Sequence, residues 1–147
     1  AVKSSTTLRN STTTLAADPD LIISGLALAT WYKVTCYVCW NGNGSTANGL
    51  AARLNTTDGL MYSAFYLSNT NVAAGNSDPT ANVSGGIPSG FNKLPNYAGA
   101  SDRLIIEAVI LTNGSGSPAV FLEWAQSVSN ATNTRVTESS YISVSKL

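Results

Sequence analysis

One stretch of ten residues, Trp31 to Trp40, alternates apolar and mixed side chains with a period of two. Successive side chains of a β-strand point to opposite faces, so this period and its β-branched and aromatic residues predict a strand with one face in a core. The opposite face carries Trp31 and Tyr37, and we expect it to meet another subunit or a second sheet instead of bulk water. The residues that face the core are Tyr32, Val34, Cys36, Val38 and Trp40.

Other apolar runs predict strands along the rest of the chain, and no stretch shows a convincing helical period. The nearly continuous apolar run from Leu104 to Leu111 is typical of a strand covered on both sides. Asn-Gly, Asp-Gly and Gly-Gly pairs mark turns between the strands, and a loop-rich segment covers 68–101. A chain of 147 residues is long enough for one core, which predicts an all-β, single-domain antiparallel β-sandwich of jelly-roll-like form. Further strands are expected at 21–23, 50–54, 60–67, 119–126 and 141–147.

Charge and composition exclude several classes of partner. Eight Lys and Arg balance eight Asp and Glu, and they are scattered, so no basic patch predicts binding to nucleic acid. An apolar fraction of 44% with zero net charge argues against disorder. No apolar run reaches the roughly 18 residues of a membrane helix, and the polar start of the chain does not have the pattern of a signal peptide. We therefore expect no nucleic-acid or membrane partner.

The spacing of Cys36 and Cys39 is that of a redox pair or of half a zinc site. In a strand, however, their Cα atoms lie about 10 Å apart at roughly 3.3 Å per residue, and a disulfide needs less than about 7 Å. The chain has no histidine to complete a zinc site. The sequence therefore predicts two free, mostly buried thiols, which fits folding in a reducing cytoplasm.

Acidic residues suggest two further sites, each with a simpler alternative. Asp18-Pro19-Asp20 could begin a calcium loop, but the rest of the ligand series is missing, and a turn with local Asx hydrogen bonds is favoured. Glu107 and Glu123 lie in apolar strands like the paired acids of a glycosidase, but an ion pair with an arginine such as Arg103 or Arg135, or a place in a polar layer, is favoured. Without histidine a Ser-His-Asp triad is excluded. We expect no catalytic residue, no metal and no cofactor.

The two ends of the chain carry a resemblance. A hydrophobic strand ends in Trp124-Ala125-Gln126, a polar loop follows at 127–134, and a short strand at 141–147 closes the chain. Near the start, a Ser/Thr-rich strand at 4–10 precedes Asp18-Pro19-Asp20-Leu21. This layout resembles the small trimeric jelly-roll domains of tailed-phage virion proteins, both capsid decoration (cement) proteins and tail-fibre tips. The loop-rich middle shows no match, and none of the shared motifs is catalytic.

The resemblance implies a structural virion protein, most simply a decoration protein on the capsid surface, made in the cytoplasm of the host bacterium. Its partners would be two further copies of itself and the major capsid protein. Residues 1–15 would form either a polar arm that reaches a neighbour or a first strand of the domain, and 16–147 the jelly-roll domain. The candidate homotrimer interface comprises Trp31, Tyr37, Trp124 and Tyr141, and the candidate capsid-contact arm comprises Ser4, Thr7, Leu8, Arg9 and Leu15.

A second function class is a receptor-binding tip of a tail fibre or spike. It would recognise a host-surface glycan or protein through the loops at 41–48 and 69–97. Sugar stacking on aromatic side chains belongs to this alternative, although most of those aromatics fall on strand periods and are better explained by core or subunit contacts. A long shaft or attachment segment would accompany such a tip.

Overall fold

Two antiparallel sheets pack face to face as a β-sandwich in the computed structural model, which describes residues 1–42, 49–69, 92–94 and 102–147. Among these residues there is no helix. The all-β sandwich predicted from the sequence is confirmed. The strands are β1 (Thr7–Arg9), β2 (Ala16–Ser24), β3 (Trp31–Asn41), β4 (Leu50–Thr57), β5 (Gly59–Asn69), β6 (Asn92–Leu94), β7 (Asp102–Thr112), β8 (Ala119–Gln126), β9 (Thr134–Val136) and β10 (Tyr141–Lys146).

The strand order gives the sandwich its jelly-roll character. The large, six-stranded sheet has the order β1-β9-β3-β7-β5 with β10 also paired to β3, and the small, four-stranded sheet has the order β2-β8-β4-β6. The pairs β2·β8, β3·β7 and β4·β6 nest like the two arms of one long hairpin. Wrapping that hairpin into two layers adds the pairs β4·β8 and β5·β7, which is the arrangement of a jelly roll.

The core lies between the sheets and follows the alternation read from the sequence. Every even residue of β3 from Tyr32 to Trp40 is buried, as predicted. The facing layer comes from β2, β4 and β8, with Leu21, Leu54 and Leu122 at or near zero exposure. Alternation of apolar and polar residues on β3 and β8 therefore sets which face of each sheet turns inward.

Strand β2 is longer than the predicted run at 21–23, because it continues backward through Asp18-Pro19-Asp20 to Ala16. Its pairing with β8 is interrupted by an irregularity between Ala17 and Ile22. Proline gives no ladder hydrogen bond and is tolerated at such bulges and on edge strands, and β2 is the edge of the small sheet. The bulge turns the Asp18 side chain into the protein, where it is 1% exposed.

The amino-terminal segment folds against its own domain. Val2 forms a bridge with Tyr141, Ile142 N donates to Ala1 O, and β1 pairs with β9. Within the single chain this segment thus pairs with its own domain, and its contact with a neighbour stays a prediction.

Candidate subunit-contact face

The outer face of the large sheet brings together three of the four predicted interface residues. Trp31 and Tyr37 lie at odd positions of β3, and Tyr141 opens β10, which pairs with β3. Tyr37 and Tyr141 are register partners, and their rings stack with centroids 5.5 Å apart. Trp31 and Tyr141 are each about two-fifths exposed. Large aromatic side chains therefore remain accessible on one sheet face.

Strand β7 extends this face with aliphatic side chains. Ile105, Val109 and Leu111 are the register partners of Tyr37, Lys33 and Trp31, and all three are half-buried. The apolar run from Leu104 to Leu111 was expected to be covered on both sides. Its even residues are buried in the core, and the odd residues on the other side are only partly covered. We call the accessible set of Trp31, Tyr37, Ile105, Val109, Leu111 and Tyr141 the contact face.

The charged groups near the middle of the contact face pair with each other. Lys33 Nζ lies 3.1 Å from Glu107 Oε1, and both side chains are more than two-fifths exposed. An ion pair this exposed adds little stability. Glu123 pairs with Arg53 Nε at 2.6 Å on the outer face of the small sheet. The two glutamates thus lie on opposite outer surfaces of the sandwich and form no glycosidase pair, and their partners are Lys33 and Arg53, not the predicted Arg103 and Arg135.

Trp124 does not belong to the contact face. Its side chain is fully buried between the sheets, and its indole Nε1 donates to Asp18 Oδ2 at 2.9 Å. A residue with no exposed surface offers nothing to a second subunit, so Trp124 is removed from the predicted interface. It is part of the core that holds the amino-terminal segment.

Lys3 forms the ion pair that fixes the amino-terminal segment. Its Nζ donates to Asp18 Oδ1 at 2.8 Å and to Oδ2 at 2.9 Å, and both side chains are fully buried. The backbone N–H groups of Asp20 and Leu21 also donate to Asp18 Oδ1, at 3.1 and 3.2 Å. The predicted local Asx hydrogen bonds of this turn are therefore confirmed. Sequence reasoning missed Lys3, whose distance of 15 residues from Asp18 gives no local signal.

Arg9 ties the large sheet to the small sheet. From β1 its guanidinium donates to the carbonyl oxygens of Ala16 and Ala17 at 2.9 Å each, and to that of Trp124. The same group lies over the Trp124 ring, 4.4 Å from the ring centroid. Burial lowers the pKa of Arg9, and the nearby carboxylates of Asp18 and Glu123 oppose that shift. Arg9 thus stabilises the contact between the two sheets, which accounts for an arginine in the Ser/Thr-rich opening strand.

Two further residues of the predicted arm form hydrogen bonds within the amino-terminal segment and with β2. Ser4 Oγ donates to Asp20 Oδ1 at 3.1 Å, and Thr7 Oγ1 accepts from Lys3 Nζ at 2.7 Å. Leu15 is half-buried, whereas Leu8 is 53% exposed. The capsid-contact role of these residues stays a prediction, and Leu8 is the arm residue with the largest free apolar surface.

Gln126, the third residue of Trp124-Ala125-Gln126, has a structural role in the loop that follows. It is fully buried, its Nε2 donates to Thr132 O at 2.7 Å, and its Oε1 accepts from Asn130 N at 3.1 Å. Its backbone N–H donates to Thr12 O at 3.2 Å. The Gln126 side chain therefore organises the polar loop after β8, and its backbone N–H binds Thr12 of the amino-terminal segment, so this segment and the loop meet at one place.

Both cysteines are free, as predicted, and they lie on opposite faces of β3. Cys36 faces the core and Cys39 is half-buried on the outer side. Burial raises the pKa of the Cys36 thiol from 9.0 to about 12, and Asp18 adds to the shift. No redox pair forms between them.

The raised pKa of Cys36 predicts a loss of stability at alkaline pH. Between about pH 9 and 12 the unfolded chain loses the thiol proton while the folded chain keeps it, so the free energy of unfolding falls as pH rises. Replacing Cys36 with valine should remove this contribution. Urea denaturation of both proteins at pH about 8 and about 10.5 measures it. An equal fall in the wild type and in Cys36→Val would contradict the prediction.

The described residues contain no cluster of three or more His, Cys, Asp or Glu side chains that could hold a metal ion. No helix among them is long and apolar enough to cross a membrane. Most of the predicted receptor loops, 43–48, 70–91 and 95–97, lies outside the described residues.

Comparison of the chain with protein-family models, with curated proteins and with solved structures found no match.

Proposed function

We propose that this protein is a structural component of a tailed-phage virion, in the first place a capsid decoration protein that assembles through its contact face, as a homotrimer, and stabilises the head shell. The observation that carries the proposal is the apolar, accessible outer face of the large sheet. Apolar patches of this kind on a compact domain mark protein–protein contacts. The resemblance of the chain ends to trimeric virion domains supports the virion role.

The face is about half the size of a standard interface between subunits. Strands β3 and β7 have 11 residues each and β10 has 6, so at about 4.8 Å between strands and about 3.3 Å per residue they present roughly 440 Å². A standard interface buries about 800 Å² on each partner, so further surface would contribute to the contact. Aromatic residues such as Trp31 and Tyr37 are the types that dominate the energy of such interfaces.

The proposed role is passive. A shell protein stabilises a capsid by lasting contacts that must break before the shell expands, so it needs buried surface and not reactive groups. The paired Lys33 and Glu107 on the face would add orientation more than affinity, because charges across an interface chiefly select partners.

Substitution of Ile105 tests the assembly. Ile105→Glu places a charged side chain beside Tyr37 on the contact face, where a second subunit would remove it from water, and we expect the oligomer to dissociate into folded monomers. Ile22→Glu is the matched control, because Ile22 is an exposed apolar residue on the small sheet. Light scattering after size exclusion gives the mass, and circular dichroism checks the fold. A wild type that is monomeric at all concentrations, or an Ile105→Glu protein of unchanged mass, would contradict this use of the face.

Particles assembled without the protein test the capsid role. Purified protein added to them should bind to saturation, cosediment with the heads and raise the temperature at which the heads release DNA. Ile105→Glu should bind more weakly than Ile22→Glu. Binding at tail ends alone would instead support the receptor-binding alternative, and no binding would contradict both.

A further inference from the structure

We propose that Lys3 and Asp18 become covalently joined in the folded chain by an amide bond between Lys3 Nζ and Asp18 Cγ. The inference is independent of the virion role, because it follows from the buried contact between two side chains. Lys3 Nζ lies 2.8 and 2.9 Å from the two oxygens of the Asp18 carboxyl group. The amine is therefore in contact with the group it would attack.

Position favours the reaction. Reacting atoms held at about 3–3.5 Å behave as if their partner were present at an effective concentration of up to about 10⁵–10⁸ M. Lys3 is held by its backbone bond to Ser140 O at 3.0 Å and by Thr7 Oγ1, and Asp18 by the bulge of β2. Both groups are fixed by the fold, so little freedom remains to be lost on bond formation.

Attack requires the amine to have lost one of its three protons. Both side chains are fully buried, so the nearest base that can take that proton is the carboxylate itself. The reaction would begin with transfer of one proton from Lys3 Nζ to Asp18 Oδ2, which would leave a neutral amine beside a carboxylic acid. A desolvated lysine amine is a competent nucleophile.

The surrounding donors suit the charge that develops during the attack. When Nζ bonds to Cγ, Asp18 Oδ1 becomes negative, and the backbone N–H groups of Asp20 and Leu21 already donate to that oxygen. Two backbone donors on one oxygen are the usual means of stabilising a tetrahedral intermediate. Trp124 Nε1 donates to Oδ2, the oxygen that leaves.

A second carboxylate can move the remaining proton. Asp20 Oδ2 lies 3.4 Å from Lys3 Nζ, and it would take a proton from the attacking nitrogen and deliver it to the hydroxyl at Oδ2 of Asp18. The Cγ–Oδ2 bond then breaks and one water leaves. Of the three protons on the starting ammonium group, two depart in that water and one stays on the amide nitrogen, so no oxidant or cofactor is needed.

The same chain contains an unreactive comparison. Lys33 and Glu107 lie 3.1 Å apart, but their side chains are 49% and 41% exposed. Water stabilises both charges there and competes for the carbonyl carbon. We expect this pair to stay an ion pair. The Lys3–Asp18 bond, in contrast, would link the amino-terminal segment covalently to β2 and prevent its local unfolding from the edge of the sheet.

Mass spectrometry of the folded, full-length protein after denaturation tests the proposal. The expected intact mass is one water below that of the sequence. Trypsin should release a branched peptide in which residues 1–9 are joined to residues 10–33, without cleavage after Lys3. Lys3→Arg keeps the positive charge but should give the full mass and linear peptides.

The location of the missing water decides the outcome. A full mass with free Lys3 overturns the proposal and leaves an ordinary buried ion pair. A missing water mapped to Asp58-Gly59, a sequence that can form a cyclic imide, also overturns it. A branched peptide whose fraction grows as the folded protein is incubated, and which is absent from protein kept in denaturant, supports it.

Discussion

Replacing Asp18 with alanine is expected to lower the free energy of unfolding by up to about 3–5 kcal/mol, because it removes the main counter-charge of the buried Lys3 ammonium group and leaves only Asp20 Oδ2 at 3.4 Å. The substitution also removes the acceptor of the Trp124 indole. A covalent Lys3–Asp18 bond would be lost as well, so the change is destabilising whether the two groups are paired or joined. Urea denaturation followed by tryptophan fluorescence measures the effect.

Two controls separate the buried charge from other causes. Glu107→Ala removes the partner of Lys33 in an exposed ion pair, and it should change stability by no more than about 1 kcal/mol. The double substitution Lys3→Met with Asp18→Leu removes both buried charges, and it should recover part of the loss if the native groups form an ion pair. A loss for Asp18→Ala as small as that for Glu107→Ala would show that Lys3 is not buried with Asp18.

Trp124→Ala is expected to cost about 3–5 kcal/mol, since it removes one of the two largest fully buried side chains in the core. The Arg9 guanidinium would lose the ring on which it rests. Because Trp124 lies inside the subunit, the variant should form a weaker oligomer only under conditions in which the subunit itself begins to unfold. Thermal unfolding and size exclusion together test that order.

Trp40 gives a matched control for the polar part of this effect. Both indoles are fully buried, but Trp124 Nε1 donates to a carboxylate, whereas Trp40 Nε1 has no acceptor among the residues that the structure describes. Trp124→Phe should therefore cost more than Trp40→Phe by about 1.5–3 kcal/mol, the contribution of a hydrogen bond to a charged group. Equal costs for the two would mean that the Trp124–Asp18 bond contributes nothing.

The long strands were predictable because their residues either alternate between apolar and polar side chains or form a continuous apolar run. Strand β8 runs over 119–126 as predicted. Strand β3 begins at Trp31 as predicted and ends one residue later than predicted, at Asn41. Short strands β1, β6 and β9 have three residues each, too few to show a period. Their pairing is set by neighbours that are distant in the sequence, such as Thr134 of β9 opposite Arg9 of β1.

The site was predictable in part. Trp31 and Tyr37 share a face because both are odd-numbered residues of one strand. The alternation of side chains along a strand was therefore enough to predict that they lie together. The same parity, with Val120 and Leu122 in step with Trp124 and Glu123 between them, would have placed Trp124 in the core. No sequence signal joined Lys3 to Asp18, because a single lysine in a Ser/Thr-rich segment is ordinarily solvated.

The copy number of the protein in purified virions tests the central claim most directly. Quantitative mass spectrometry would compare peptides of this chain with peptides of the major capsid protein from the same particles. A structural shell protein predicts a ratio equal to the capsid protein or within a few-fold of it. Absence of the chain from particles that are otherwise complete would contradict the virion role.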